Sequence, residues 1–189
     1  MVNKSTRTIG EKIIIIGSPG SGKSTFSKAL SKATNIPLIH LDDLYWNVDW
    51  IPTPEDEWIN TIEKLAVKKR YILDGNYVDS LNIRLECADT VIFLDTPLIV
   101  CLFRIVKRTL KNRYGKEVSL PKRIREAHGI KKQKVSEGLL GFCLYVAKFH
   151  LFTKPNIKTK LEQDKYCHKV FFIKGKREID HFWKLGGIT

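Results

Sequence analysis

Lys12-Ile13-Ile14-Ile15-Ile16-Gly17-Ser18-Pro19-Gly20-Ser21-Gly22-Lys23-Ser24-Thr25 is the stretch that decides how this chain is read. Its opening is a short β-branched apolar run, the pattern of a parallel strand buried on both faces. Residues 17–24 then fit GxxxxGK[ST] at every fixed position. Beyond them Phe26, Ala29, Leu30 and Ala33 recur at helical spacing and define one buried face. Strand, glycine loop and helix in that order are the context in which this motif binds phosphate.

The residue types suit that chemistry. A nucleoside triphosphate packs several negative charges into a small volume. Gly17, Gly20 and Gly22 allow a close backbone approach that a Cβ would block. Successive N–H groups then converge on phosphate oxygens at the positive end of a helix. The loop Gly17, Ser18, Pro19, Gly20, Ser21, Gly22, Lys23, Ser24 and Thr25 is the expected ATP-binding set. Lys23 is expected to reach the β- and γ-phosphates and the Ser24 hydroxyl to ligate Mg²⁺.

A phosphate loop of this kind implies a parallel sheet with alternating strands and helices. Ile36–Leu41, Tyr71–Leu73, Thr90–Leu94 and Val170–Ile173 read as the further strands. Thr53-Pro54-Glu55-Asp56 reads as a helix start, with Thr53 as N-cap and Pro54 in the first helical position, running to about Lys68. Asp79–Glu86 suits a short helix, two or three helices cover 97–166, and Lys176–Leu185 closes the chain. The expected fold is α/β: a three-layer P-loop NTPase domain with a five-stranded parallel sheet, helices on both faces and a basic helical lid.

The length of 189 residues matches one domain on the usual guide of roughly 100–200 residues each. Its 43% hydrophobic and 10% aromatic content excludes a disordered or collagen-like chain. The net charge of +13 points to an anionic partner, and it is unevenly spread. Twelve Lys and Arg lie between Arg104 and Lys134, opposed there only by Glu117 and Glu126. The four cysteines form no CxxC pair, and Cys167 and His168, neighbours in an expected strand, would face opposite ways. Reduced thiols, a polar N-terminus and the lack of a spanning apolar segment give the expectation of a cytoplasmic protein without a membrane partner.

In a parallel sheet the site lies at the carboxyl edge of the strands. Asp42 and Asp43, Asp74 to Tyr77, and Asp95 are the residues delivered there. Asp74 ends an apolar strand, where a carboxylate holds Mg²⁺ directly or through water, with a strand-end cap as the alternative. Asp42 is placed to orient or deprotonate an acceptor hydroxyl, the alternative being a helix-capping pair with Asp43. Tyr45, Trp46 and Trp50 crowd the same stretch and suit either a ligand pocket or packing against the next helix. Asp95 reads as a helix cap. Arg104 and Arg108 share one helix face and suit the stabilisation of a migrating phosphoryl group. The region from about Arg113 to Lys134 reads as a mobile lid, with a solvated or nucleic-acid-binding basic face as the alternative.

GSPGSGKST, IPLIHLDDLYW, ILDGNY, IRLECADTVIFLD and CLFRIVKR together resemble the adenylate-kinase-related P-loop kinases described as DNA topology modulation proteins. The likeness is strongest over about residues 12–113. It implies the P-loop kinase fold, ATP with Mg²⁺, a lid role for Arg104 and Arg108, and an acceptor-side, anion-binding role for Arg84. Adenylate kinases carry Gly-Phe-Pro-Arg after the third strand, where this chain has Gly75-Asn76-Tyr77-Val78. The arginine that helps to hold a nucleoside monophosphate is thus missing, and Asn76 takes its place among the acceptor-side candidates.

The leading expectation is an ATP-dependent kinase acting on a small-molecule acceptor, a nucleotide or a hydroxylated metabolite. A nucleotide-gated DNA-binding or topology-modulating protein and a slow ATPase switch are the other readings. Nucleic acid is possible but not favoured as a partner, since no recognised nucleic-acid-binding motif accompanies the basic stretch.

Overall fold

The computed structural model describes residues 9–113 and 138–187, the side chains of 111–113 excepted. Five strands form one sheet: β1 (Lys12–Gly17), β2 (Leu38–His40), β3 (Tyr71–Asp74), β4 (Thr90–Leu94) and β5 (Val170–Ile173). Their order is β2-β3-β1-β4-β5 and every pairing is parallel. Around the sheet lie α1 (Lys23–Thr34), α2 (Asp42–Tyr45), α3 (Glu55–Ala66), α4 (Leu81–Cys87) and α5 (Leu98–Arg113). The later described helices are α6 (Gly138–Lys148), α7 (Lys154–Leu161), α8 (Asp164–Cys167) and α9 (Lys176–Leu185), with a π-turn over Phe149–Thr153 joining α6 to α7.

The isoleucine run owes its place to two-sided burial. Ile13, Ile14, Ile15 and Ile16 have no exposed surface, and successive side chains point to opposite faces. Ile14 and Ile16 join Leu73 and Phe93 under α3, α4 and α7, through Trp58, Ile62, Leu85 and Ile157. Ile13 and Ile15 join Ile72 and Ile92 under α1 and α9, through Phe26, Leu30 and Phe182. At about 1.5–3 kcal/mol for each fully buried side chain of this size, the central strand is a main anchor of the fold. A smaller cluster of Cys101, Ile105 and Val146 joins α5 to α6.

Several boundaries differ from the sequence reading for identifiable reasons. β2 begins after Pro37, whose carbonyl nevertheless accepts from Ile72 N. It ends at His40 because Leu41 already has helical φ and ψ and starts α2. β3 extends to Asp74, which registers against both Ile15 and His40. α3 starts at Glu55 behind Pro54, so Pro54 rather than Thr53 is its N-cap. The Thr53 hydroxyl instead donates to the carbonyls of Leu44 and Tyr45, at 3.1 and 2.8 Å. With no side-chain cap, Glu55, Asp56 and Glu57 oppose the positive helix end. Cys167 and His168 lie in and just after α8 rather than in a strand. No described helix is long and apolar enough to cross a membrane. The expected lid, from residue 114 onward, lies outside the described residues.

Candidate active site

The carboxyl edge of β1 leads directly into the glycine loop. Gly20 and Gly22 have φ of 79° and 100°, a region that L side chains rarely adopt. A Cβ on Gly20 would also stand 2.6 Å from the Cys101 carbonyl oxygen. Gly22 provides no side-chain cap to α1, whose first turn carries no acidic residue. The first N–H groups of α1 are therefore left facing an anion's place at its positive end.

Lys23 opens α1, and its ammonium donates to the carbonyls of Gly17 at 2.6 Å and Ser18 at 3.1 Å. Burial lowers its pKa, while the charges of Asp74 and Asp42 act in the opposite direction. Asn76 Oδ1 accepts from Gly17 N at 3.1 Å, so this acceptor-side candidate ties the turn after β3 to the start of the loop. From α5, Arg104 Nη1 donates to Ser21 O at 2.9 Å and Gly20 O at 3.4 Å. Arg108 follows one turn later, near enough for its charge to lower the Lys23 pKa further. Thr96, just past β4, donates its hydroxyl to Ser21 O at 3.1 Å.

Asp74 stands behind the loop, 4% exposed. Its Oδ2 accepts from the Ser27 hydroxyl at 3.2 Å and pairs with His40 Nδ1 at 2.9 Å. Burial acts to raise its pKa, but the His40 hydrogen bond and the Lys23 charge outweigh that, and the carboxyl is held below its ordinary value. The same bond raises the His40 pKa. Asp74 Oδ1 is buried and has no hydrogen-bond partner, and the Ser24 hydroxyl adds to the lowering of the Asp74 pKa. An orphaned, ionised carboxylate oxygen with a hydroxyl acting on the same group suits a hydrated Mg²⁺, so the residues fit the ion. Among the described residues no three His, Cys, Asp or Glu cluster as an all-protein metal site.

Across from the loop lie the acceptor-side candidates. Asp42 is exposed at the start of α2, and its Oδ1 accepts from the Tyr77 hydroxyl at 2.6 Å. Burial and the Asp42 charge together push the Tyr77 phenol well up, and Tyr145 of α6 is raised by burial and then by the same charge. The Tyr45 ring is enclosed by Tyr77, Trp46 and Trp58, with centroids 4.5, 5.0 and 5.0 Å away. Tyr45 thus packs the loop against α3, one of the two readings open to it from sequence. Trp46 and Trp50 pair at 5.6 Å with Trp50 exposed.

Arg84 requires a correction. The family resemblance implied an anion-binding side chain, yet it has no exposed surface. Its guanidinium donates to Gly75 O at 2.9 Å, to Tyr77 O at 2.7 Å and to Asn76 O. Burial pulls its pKa down to about 10. It clamps the turn that carries Asn76 and Tyr77, because three consecutive carbonyls there turn inward. Asp95, read as a helix cap, pairs with Lys154 of α7 at 2.6 Å.

His40 and Thr96 escaped the residues singled out from sequence, whereas Tyr77 stood among them without a role of its own. A polar residue ending an apolar strand, as His40 does, was the available signal; Tyr77 was visible only as part of the turn after β3. A separate cavity of about 440 Å³, lined by Glu11, Thr34 and Arg70 among others, lies at the opposite end of the sheet and holds none of these groups.

A family model described as "AAA domain" matches residues 13–127, well over half of the chain. A solved structure of an unliganded sugar kinase from Janibacter sp. HTCC2649 is 15% identical, covering 98% of this chain and 96% of that one, with a TM-score of 0.50. Shikimate kinase from Bacteroides thetaiotaomicron is 15% identical, covering 93% and 98%, with a TM-score of 0.48. At 15% identity the likeness to the sugar kinase structure is one of fold alone.

Proposed function

We propose that this chain, which belongs to the AAA domain family, is a kinase that transfers the γ-phosphoryl group of Mg-ATP to a hydroxyl of a small-molecule acceptor. The observation that carries this reading is the placement of Lys23, Asp74 and Asp42 at the carboxyl edge of one sheet, where both carboxylate charges act on the lysine. A phosphate-binding lysine faces a carboxylate with an unpartnered oxygen on one side and an exposed carboxylate on the other.

In this reading the glycine loop and the α1 N-terminus bind the β- and γ-phosphates, and Lys23 turns its ammonium from the loop carbonyls to phosphate oxygens. Ser24 and Asp74 would hold Mg²⁺, which would supply neutralisation of the phosphate charge. Asp42 accepts the hydrogen bond of the acceptor hydroxyl and takes its proton as the new O–P bond forms and the bond from the γ-phosphorus to the departing ADP oxygen breaks. Arg104 and Arg108 offset the charge that spreads over the migrating group. His40 orients Asp74, and Asn76 fixes the loop entrance. The motif likeness to DNA topology modulation proteins supports the same family of kinases. Four free cysteines suit a reducing compartment such as the cytoplasm, and a single domain suffices for all these roles.

ADP release from Mg-ATP in the presence of mixed acceptors tests the reading. Lys23→Ala is expected to lower turnover by about 10²–10³-fold, the usual effect of losing one preorganised electrostatic partner. An unimpaired Lys23→Ala enzyme would remove the proposal.

A further inference from the structure

The acceptor side differs in charge from the rest of the molecule. Between residues 41 and 62 the chain carries Asp42, Asp43, Asp49, Glu55, Asp56 and Glu57 and no Lys or Arg, within a protein of net charge +13. This stretch forms α2, the tight loop closed by the Trp46–Pro52 bridge, and the first turn of α3. It borders the phosphate site: Asp42 accepts from the Tyr77 hydroxyl, and Asn76 beside Tyr77 accepts from Gly17 N of the glycine loop. The phosphoryl end of the site is marked independently by the buried, unpartnered Asp74 Oδ1.

Two further observations concern what this side can bind. Arg84, the arginine that the turn after β3 brings nearest, spends its guanidinium on three backbone carbonyls and has no exposed surface. Among the described residues, the groups presented instead are a carboxylate, a phenol hydroxyl bonded to it, and the exposed Trp50 against the half-buried Trp46. Carboxylates and phenols bond hydroxyl groups, and indole faces cover the C–H faces of a saturated ring. A phosphate or carboxylate on the acceptor would meet like charge, which disfavours it.

Resting on the kinase reading, we infer that the acceptor is a polyhydroxylated ring compound without negative charge, a neutral sugar or an amino sugar, whose reacting hydroxyl is held by Asp42. Tyr77 positions that carboxylate: its hydroxyl occupies Oδ1 and leaves Oδ2 to the acceptor. Its backbone, at φ 30°, is in a region unusual for a non-glycine residue and is held there by the Arg84 clamp on Tyr77 O.

The test is ADP release from Mg-ATP with single acceptors at equal concentration: glucose, ribose and glucosamine against adenosine 5′-monophosphate, gluconate and shikimate, with Lys23→Ala as the blank. Stimulation at least tenfold greater with a neutral or amino sugar than with any anionic compound is expected. Glucosamine above glucose would assign the carboxylates to an ammonium, and the reverse would assign them to hydroxyls alone; both uphold the inference. Preferential stimulation by an anionic acceptor would overturn it and leave the kinase reading intact. A panel flat at the Lys23→Ala level would overturn both.

Discussion

Tyr77 and Asp42 are 35 residues apart in sequence and 2.6 Å apart in space, and their bond can be tested as a pair. Tyr77→Phe keeps the ring against Tyr45 and Trp58 and removes only the hydroxyl. A hydrogen bond to a carboxylate of this kind contributes about 1.4 kcal/mol, or tenfold. The expected result is a tenfold fall in kcat with little change in KM for the acceptor. In an Asp42→Asn background the same substitution should change little, since the two act as a unit. Equal losses in both backgrounds would make Tyr77 a packing residue alone. Arg84 makes a different prediction. Arg84→Met retains much of the volume but strands the carbonyls of Gly75, Asn76 and Tyr77, and it should destabilise the fold by roughly 3 kcal/mol. A chemical denaturation midpoint unchanged by Arg84→Met would contradict the clamp. Neither role was visible in sequence. An arginine on a short helix reads as surface or ligand-binding, and only the inward turn of three carbonyls shows that it is neither.

The elements were more legible than the contacts between them. β4, β5 and α9 fall where the apolar patterns place them, because burial on both faces leaves a signal at every strand position and an amphipathic helix leaves one every turn. α3 and β2 were misjudged at their ends, where proline and local hydrogen bonds decide: Thr53 has the composition of a cap but finds the Leu44 and Tyr45 carbonyls closer. The link between α7 and the end of β4 left no local signal at all. There Lys154 meets Asp95 and donates to Thr96 O at 3.3 Å, and His150 Nε2 approaches the same carbonyl at 3.2 Å. Since a carbonyl only accepts, Nε2 carries the proton and the buried Nδ1 is left without a partner. Burial lowers the His150 pKa, the Lys154 charge adds to this, and Asp95 opposes it. With the folded value below the ordinary 6.5, the unfolded chain binds more protons in that interval. The His150 contribution is therefore complete above pH 6.5 and is lost as pH falls through the folded value. His150→Gln should flatten the decline in thermal midpoint between pH 7 and 5 relative to the parent. A variant whose midpoint falls as steeply as the parent's would rule out this residue as the cause.

At the scale of the whole molecule the parallel sheet separates two chemistries. On one side of its carboxyl edge stand the glycine loop, Lys23, Arg104 and Arg108, suited to phosphate. On the other stand Asp42, Tyr77 and the Trp46–Trp50 pair, which we propose receive an uncharged or cationic polyol. The glycine loop between β1 and α1 was legible because its motif is contiguous and depends on backbone geometry that favours glycine. The acceptor side was legible only as a set of carboxylates at strand ends. Its character depends on which arginine is spent internally and on a hydroxyl brought from a distant turn. The nucleic-acid reading rests on the basic stretch from Arg104 to Lys134, of which the described Arg104 is engaged with the glycine loop itself.

The central claim is transfer of a phosphoryl group to an organic hydroxyl, and the fate of the γ-phosphate tests it most directly. With ATP labelled at the γ-phosphate, Mg²⁺ and glucosamine or glucose, the label should move into an acid-stable sugar phosphomonoester, in step with ADP and not in Lys23→Ala. Label that stays in ATP would contradict the account outright, and label released only as inorganic phosphate, at a rate indifferent to every acceptor offered, would contradict it and leave an ATPase in place of a kinase.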